Sequence, residues 1–331
     1  MIKKIIFYLS LIVVTKSLSA QDSVKIGFSV GDFSSDRWSI EAEIFTKKVN
    51  SYGAKVLTNY AYGDPEQQIK QSQQMIESGV EVLVIAPNDA EKCAKIVDMA
   101  HKSGVKVISY DRMIKNADVD YYLSFDNIKV GEQQAQYAVD HHPEGNYVIL
   151  GGPTSDNNSI LFMKGQLNVL KPYVDKGAIK IILQKHLDDW NSIDAFNEIQ
   201  SLLDSGVKNI SAIIASNDEL ASGAITALDM NDDSIIITGQ DASIVGCQNI
   251  IDGKQSMTVY KPFPNLANTA ADLAIKLVKG EKPENITTTV NNGFKNVPSI
   301  ILSSLVVDKN NLKKVVEESG FIKSDELDFH K

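Results

Sequence analysis

Short apolar segments alternate with segments of helical periodicity along most of the chain. Residues 24–30 form an apolar run, and in residues 38–52 the apolar side chains recur at the spacing of one helix face. Gly53 follows that segment, as a glycine commonly follows the last turn of a helix. The pattern therefore predicts a strand and then a helix.

The same alternation continues to about residue 238. Strands are predicted at residues 55–61, 82–86, 105–110, 147–150, 179–184, 212–215 and 235–238. Helices are predicted at residues 64–79, 90–103, 159–170, 192–204 and 219–229. Apolar strands that alternate with helices are typical of parallel sheets that helices cover on both faces. We therefore expect an α/β protein.

Two stretches of the chain resemble each other. An apolar strand runs into an Asn-Asp pair at residues 88–89 and again at residues 217–218. The next strand ends on an aspartate in both copies, Asp111 and Asp241, which lie 22 and 23 residues after those pairs. The repeat predicts two similar lobes, each a parallel sheet covered by helices. Coincidence between two strand–helix–strand units is the alternative.

The N-terminus has the order of features that a secretory signal peptide shows. Two lysines are followed by an apolar run at residues 5–14 and then by small residues up to Ala20. A run of ten residues is too short to cross a bilayer, which takes about 20. Residues 1–20 are therefore predicted to be a signal peptide, cleaved after Ala20 or Ser19, and a buried element is the alternative. Export to a periplasm follows, without a lipid anchor because no cysteine lies near the junction.

Composition narrows the function classes. The 331 residues are 43% hydrophobic and 23% charged, which fits two ordinary globular domains. The net charge is −9, and loss of the signal peptide removes three lysines and no acidic residue, so it becomes −12. An acidic protein is a poor partner for nucleic acid. The two cysteines, Cys93 and Cys247, have no zinc-ligand spacing and are predicted to be buried thiols rather than a disulfide.

Polar side chains gather after the predicted strands, where open α/β sheets bind ligands. The set is rich in Asp, Asn and Arg, and it includes both tryptophans, Trp38 and Trp190, in polar segments. Each sugar hydroxyl donates and accepts, so carboxylates, amides and guanidinium groups satisfy it in pairs. The apolar C–H faces of a sugar pack on aromatic rings. We therefore expect a sugar site, with a core role for the tryptophans as the alternative.

Several motifs carry a family resemblance. They include DRW at residues 36–38, SYDRMIKNADVDYYLSFDN at 109–127, GGPTSDNN at 151–158 and GQDA at 239–242. On these motifs the chain resembles, over residues 22–325, the periplasmic sugar-binding proteins of ABC importers of the ribose-binding type. Within that family it is most similar to the members that bind D-xylose.

The resemblance implies a type I periplasmic binding protein fold with a hinge of three crossing strands. The crossings are expected near residues 126–127, 260–261 and 291–292. An N-terminal lobe would hold residues 22–127 and 262–291, and a C-terminal lobe residues 128–261 and 292–331.

The same resemblance implies which residues contact the sugar. Arg37 would hydrogen-bond and Trp38 would stack. The full set is Arg37, Trp38, Asp111, Arg112, Asp156, Asn158, Trp190, Asn217, Asp241 and Lys261. The protein would bind D-xylose as a monomer and deliver it to the membrane subunits of an ABC importer, with no catalytic residue, metal or cofactor. The segments at 31–36 and 191–192 depart from the family pattern and leave room for ribose, arabinose or glucose, and a chemoreceptor or sensor kinase is an alternative partner.

Other motifs favour competing functions more weakly. Residues 27–31 spell G-x-S-x-G, but Ser29 lies within a predicted strand and not on a hydrolase turn. Residues 229–240 lack the glycine and glutamate of a calcium loop. The pair at 141–142, both histidines, is interpreted as a solvated helix end. A glycosidase needs two opposed carboxylates, and here basic residues neutralise the candidate site. Transcription regulators with the same core carry an N-terminal helix-turn-helix, where this chain has a signal peptide.

Overall fold

Two sheets, each in its own lobe, make up the protein. The computed structural model describes residues 23–32, 37–228, 234–286, 288–320, 322 and 326–329, so the predicted signal peptide lies outside the described residues. One sheet has seven strands and the other six. The prediction of a two-lobed α/β fold is confirmed.

The first lobe opens with alternating strands and helices. In chain order these are β1 Lys25–Val30, α1 Arg37–Ser51, β2 Lys55–Tyr60, α2 Pro65–Glu77, β3 Val82–Ala86, α3 Ala94–Lys102, β4 Lys106–Tyr110 and β5 Tyr121–Phe125. All five residues of β3 are buried, as its continuous apolar run predicts. Helix α2 begins where Asp64 accepts hydrogen bonds from the amides of Glu66 and Gln67.

The second lobe repeats the alternation. Its elements are α4 Asn127–His141, β6 Gly145–Gly151, α5 Asn157–Asp175, β7 Ile179–His186, α6 Ser192–Asp204, β8 Ala212–Ala215, α7 Asp218–Leu228, β9 Ile236–Gln240, α8 Ile244–Ile251 and β10 Met257–Tyr260. The remaining elements are α9 Phe263–Val278, β11 Thr288–Asn291, β12 Asn296–Leu302, β13 Leu305–Asp308 and α10 Leu312–Ser319. The strand and helix pattern of the sequence did not assign α4, β5, α8 or the elements from β10 onward.

The strand orders show how the lobes are assembled. The first sheet runs β11-β12-β5-β4-β3-β1-β2 and the second β13-β10-β9-β8-β6-β7. Neighbouring strands are parallel except for β11 with β12 and β10 with β13. Helix α9 packs in the core of the first lobe against α1, and α4 packs against α5 in the second. The carboxyl ends of the parallel strands therefore meet at one edge of each sheet, and these two edges face each other.

The C-terminal segment corrects one expected boundary. Residues 292–331 were assigned to the C-terminal lobe, with a crossing near residues 291–292. Strand β12 instead pairs in parallel with β5, Ser299 opposite Tyr122, so it belongs to the first sheet. The chain changes sheets between Leu302 and Leu305. The pairing covers the edge of β5, which otherwise would be unpaired.

Helix α3 starts later than predicted, and the segment before it makes contacts in both lobes. The Ala90 amide donates to the Ser155 carbonyl of the second lobe at 2.9 Å, and the Ala90 carbonyl accepts from the Lys115 amide at 2.7 Å. Because the Ala90 carbonyl is bound by Lys115, it does not accept from the Ala94 amide as it would in a helix, and α3 begins only at Ala94. The Ala90 bond to Ser155 is a separate contact between the lobes. The two cysteines are free and buried. Among the described residues, no helix has the length and apolarity that membrane crossing requires.

Candidate functional site

A cavity between the two lobes collects all ten residues that the resemblance singled out. They are Arg37, Trp38, Asp111, Arg112, Asp156, Asn158, Trp190, Asn217, Asp241 and Lys261. The cavity has a volume of about 40 Å³, which is space for about three waters. The residues therefore share one small polar compartment.

Arg37 connects the lobes at the centre of this cavity. It is the first residue of α1, and its guanidinium donates to Glu41 on the same helix. Its Nη2 lies 2.5 Å from Asp111 Oδ2 of the first lobe, and its Nη1 lies 2.9 Å from Asp241 Oδ1 of the second. Glu41 also accepts from the Tyr110 hydroxyl. One buried cation therefore fixes carboxylates on both sides of the cleft.

Lys261 adds a second positive charge beside the same two aspartates. Its Nζ lies 3.2 Å from Asp241 Oδ1 and 3.9 Å from Asp111 Oδ2, and the lysine is only 3% exposed. Burial alone would raise the pKa of Asp111, but the charges of Arg37 and Lys261 outweigh burial and hold that pKa well below its usual range. Asp111 is therefore an ionised acceptor at any ordinary pH.

Arg112 forms the second contact between the lobes. Its Nη2 lies 3.1 Å from Asp32 Oδ2 in the first lobe, and its Nε lies 2.8 Å from Asp156 Oδ2 in the second. The Trp190 indole nitrogen also donates to Asp156 Oδ2, at 3.2 Å. Burial raises the pKa of Asp156 although the charge of Arg112 opposes the shift. The Arg112–Asp156 pair closes one side of the cavity.

The two tryptophans face the cavity from opposite lobes. Arg37 and Arg112 lie over the Trp38 ring, 4.9 and 5.4 Å from its centroid. A Cβ at Gly152 would come within 2.4 Å of the Trp190 ring, so only glycine leaves room for it. Both rings also pack in the hydrophobic cores of their lobes. The tryptophans are thus core residues that present a face to the cavity, which combines the two interpretations made from sequence.

Two aspartates of the internal repeat leave their strands in the same way. Asp111 follows β4 with φ 58°, and Asp241 follows β9 with φ 97°. The Asp111 amide donates to the Leu123 carbonyl of the next strand, and the Asp241 amide donates to the Val259 carbonyl. Aspartate tolerates the left-handed region better than most residues. The shared backbone explains why the repeat placed both side chains at the cleft.

Two asparagines complete the polar lining. The Asn158 amide nitrogen donates to the Asp111 side chain at 3.1 Å, and its oxygen accepts from Asn127 at 2.9 Å. Asn217 Oδ1 accepts from the Leu220 amide and so caps α7. The Asn158 bond to Asp111 is a further contact between the lobes.

Five lining residues were not predicted: Phe162, Asp218, Glu219, Gln240 and Ser243. Asp218 belongs to the repeated Asn-Asp pair and Gln240 precedes Asp241, so proximity to the motifs was an available signal. Phe162 sits in the apolar pattern of α5, where nothing in the sequence separates a lining ring from a core ring.

The competing motifs do not build sites in the described part of the chain. Ser29 is fully buried in β1, and its hydroxyl accepts from Gln68 and Ser72. At the end of α4, His141 is exposed and His142 is partly buried, and their ring nitrogens hydrogen-bond backbone carbonyls. Asp229, Asn231 and Asp233 of the calcium-like segment lie outside the described residues. Across the described ranges, no group of three His, Cys, Asp or Glu side chains is placed to hold a metal ion.

Comparisons with known proteins agree with this geometry. Residues 26–282 match the sequence profile of the periplasmic binding protein domain. The D-xylose-binding periplasmic protein of Escherichia coli is 46% identical over 306 residues, 92% of each chain, and that of Haemophilus influenzae is 43% identical over 94% of each.

Solved structures show the same architecture. A solute-binding protein of an ABC transporter from Clostridium phytofermentans, with bound β-D-glucose, is similar with a TM-score of 0.86 and 32% identity. The similarity covers 92% of this chain and the whole of that one. The chain belongs to the periplasmic binding protein family.

Proposed function

We propose that the protein captures D-xylose between its lobes without altering it. The single observation that carries this proposal is the Arg37 centre, where one guanidinium joins Asp111 and Asp241 from opposite lobes. Ionised carboxylates accept from sugar hydroxyls, while Arg37 and Lys261 donate to them. The similarity to D-xylose-binding proteins supports the choice of sugar.

The ionisation of the cavity supports binding rather than hydrolysis. A glycosidase needs a carboxylic acid that holds a proton beside the glycosidic oxygen. Asp111 and Asp241 are both bound to Arg37, and the lowered pKa of Asp111 leaves it without a proton to give. Asp218 also lines the cavity and its pKa is raised, but both of its oxygens are engaged by Ser243, Thr258 and Gln255 and not by the ligand space. We infer that the protein is not an enzyme.

Calorimetric titration of the mature protein tests the ligand. We expect a dissociation constant for D-xylose on the order of micromolar, about −8 kcal/mol, and recovery of unchanged sugar. Ribose, arabinose, glucose and galactose form the comparison panel, because one misplaced hydroxyl leaves a buried group unpaired at a cost of about 1–3 kcal/mol. Turnover of any sugar, or tighter binding of another one, contradicts the proposal. Glucose is the second candidate, since the similar solved structure holds it.

We further propose that the mature protein acts as a monomer in a periplasm, without a lipid anchor, and delivers the sugar to ABC importer membrane subunits. Uptake of labelled D-xylose by cells that lack the gene distinguishes an ABC importer from a chemoreceptor or sensor kinase as the partner. Loss of uptake supports an importer, whereas normal uptake with a lost sugar response supports a chemoreceptor or sensor kinase.

A further inference from the structure

The loop that carries Asp241 has an unfavourable backbone. Asp241 and Ala242 are consecutive residues with φ of 97° and 52°. Residues with a Cβ adopt this region only where the surroundings hold them there. The direction of the Asp241 carboxylate therefore depends on whatever fixes the amides that follow it.

Asp218 binds the two amides that follow Asp241. Its Oδ2 accepts from the Ser243 amide at 2.8 Å. Its Oδ1 accepts from the Thr258 hydroxyl at 2.8 Å, and the Thr258 oxygen in turn accepts from the Ala242 amide at 3.1 Å. One contact is direct and the other passes through a single hydroxyl, so both amides are anchored on one carboxylate.

The carboxylate itself has little freedom to move. Asp218 is 1% exposed, and the Gln255 side-chain nitrogen donates to its Oδ1 at 2.8 Å. A Cβ at Gly239 would lie 2.1 Å from Oδ1, and one at Gly246 would lie 2.3 Å from Oδ2. The absence of side chains at these glycines lets the backbone close around the carboxylate.

We propose that Asp218 is a positioning residue that holds Asp241 in its sugar-binding geometry. Its oxygens are committed to the loop and to Gln255, so it acts through Asp241 and not on the sugar. The proposal rests on the proposed function, because it assigns Asp241 a sugar contact.

The charge of Asp218 gives this role a pH dependence. Burial raises the pKa of Asp218 to about 7, and the charge of Asp241 adds a smaller contribution in the same direction. The hydrogen bonds that Gln255, Ser243 and Thr258 donate to Asp218 oppose this shift. The Cys247 thiol on α8 also faces it, and burial raises the pKa of that thiol, so the thiol stays neutral. Protonation of Asp218 turns an acceptor into a donor and releases one anchor. Sugar affinity should therefore fall as the pH decreases through about 7.

A double-mutant cycle tests the coupling. Asp218→Asn should weaken sugar binding on the order of tenfold. The double variant with Asp241→Asn should bind no more than about twofold more weakly than Asp241→Asn alone, because both changes act on the same contact. Losses that simply add would overturn the proposal.

Asp89→Asn is the matched control, since Asp89 occupies the same position of the repeat in the first lobe. Its side chain caps the Glu91 and Lys92 amides and takes no part in the Asp241 loop, so binding should not change. In a pH series, wild-type affinity should fall below about pH 7, and the Asp218→Asn variant should lack that step. A step of the same size in the variant would contradict the assignment.

A readout without sugar separates this proposal from the choice of ligand. The amide proton resonances of Ala242 and Ser243 should shift with a midpoint near pH 7 in the sugar-free wild type. If they do so while D-xylose fails to bind, the positioning role stands and the ligand proposal fails. If they do not respond to pH between about 5 and 9, Asp218 does not hold the loop as an ionised group and the positioning proposal is wrong.

Discussion

Asp111 and Asp241 occupy equivalent positions in the two lobes, but different groups hold the backbone around each of them. The carbonyl oxygen of Asp111 accepts from the hydroxyls of Tyr122 and Ser124 and from the Asn158 amide. The Asp241 loop is instead anchored on a buried carboxylate, Asp218. The Asp111 side chain is 3% exposed and that of Asp241 is 21% exposed. The same backbone conformation is thus held by neutral donors in one lobe and by hydrogen bonds to a buried carboxyl group in the other.

The second position of the repeat separates the lobes further. Asp89 and Asp218 both follow an asparagine after a strand, yet Asp89 is partly exposed and Asp218 is buried. Thr258 of β10 and Ser243 before α8 cover Asp218, whereas the first turn after Asp89 turns towards Ser155 of the opposite lobe. Identical residues therefore acquire different roles through what covers them.

Removal of the Arg37 guanidinium, which joins Asp111 and Asp241, should have the largest effect on stability and sugar affinity. Arg37→Met leaves Glu41 and Asp111 buried without their partner, so we expect a loss of about 3–5 kcal/mol in unfolding free energy and of more than about a hundredfold in sugar affinity. Denaturant titration and calorimetry measure the two. Lys48→Met on the same helix, at an exposed ion pair with Asp272, should change stability by no more than about 0.5 kcal/mol. Similar losses in Arg37→Met and Lys48→Met would show that Arg37 matters no more to the protein than an exposed ion pair.

The two equivalent aspartates should differ in what their removal costs. Asp111→Ala and Asp241→Ala should each weaken sugar binding by at least about tenfold, because donors are left unpaired. Only Asp111→Ala should also destabilise the fold strongly, by about 3 kcal/mol, since it is the more buried partner of Arg37. Asp140→Ala, on the exposed face of α4, is the control. Equal stability losses would show that the lobes are supported alike.

The contributions of Asp218 and Asp111 to the free energy of unfolding should change with pH in opposite directions. The folded pKa of Asp218 is raised to about 7, above an unfolded value near 4, so its contribution is complete below about pH 4 and is lost as the pH rises to about 7. The Asp111 pKa is lowered, so its contribution is present above about pH 4 and is lost in acid.

Two variants isolate these signs. Relative to the wild type, Asp218→Asn should gain up to about 1.4 kcal/mol of unfolding free energy per pH unit between about pH 4 and 7. Asp111→Asn should instead lack the loss in stability that the wild type shows below about pH 4. Denaturant unfolding at fixed pH values measures both, and parallel curves for the two variants would show that the groups do not differ.

Closure should give the smallest signal. Because both lobes line the cavity, we expect D-xylose to shift the population towards the closed form. The radius of gyration should decrease slightly on addition of D-xylose, and tryptophan fluorescence should change because Trp38 and Trp190 face the cavity. Trp38→Phe and Trp190→Phe assign the fluorescence to each lobe. A constant radius at calorimetric saturation would mean that the site is preformed.

The sequence by itself determined the class of fold, and its resemblance to a known family implied ten of the residues that line the cavity. Apolar strands that alternate with amphipathic helices predict a parallel sheet, because helices bury both faces of such a sheet and its strands are therefore apolar throughout. The repeat then located Asp111 and Asp241, and strand ends in such sheets are where ligands bind. All ten residues that the resemblance implied lie in one cavity, and those that follow strands are placed there by the local order of elements along the chain.

Only the tertiary structure decided how the lobes meet and what supports the site. Strand β12 joined the first sheet because the edge of β5 was there to pair with, and α3 starts at Ala94 because the Ala90 carbonyl is bound by the Lys115 amide instead of the Ala94 amide. Asp218 became buried because Ser243 and Thr258 close over it. Burial and hydrogen-bond partners depend on segments that are distant in sequence. A local pattern of residues therefore does not reveal them before the structure shows which segments pack together.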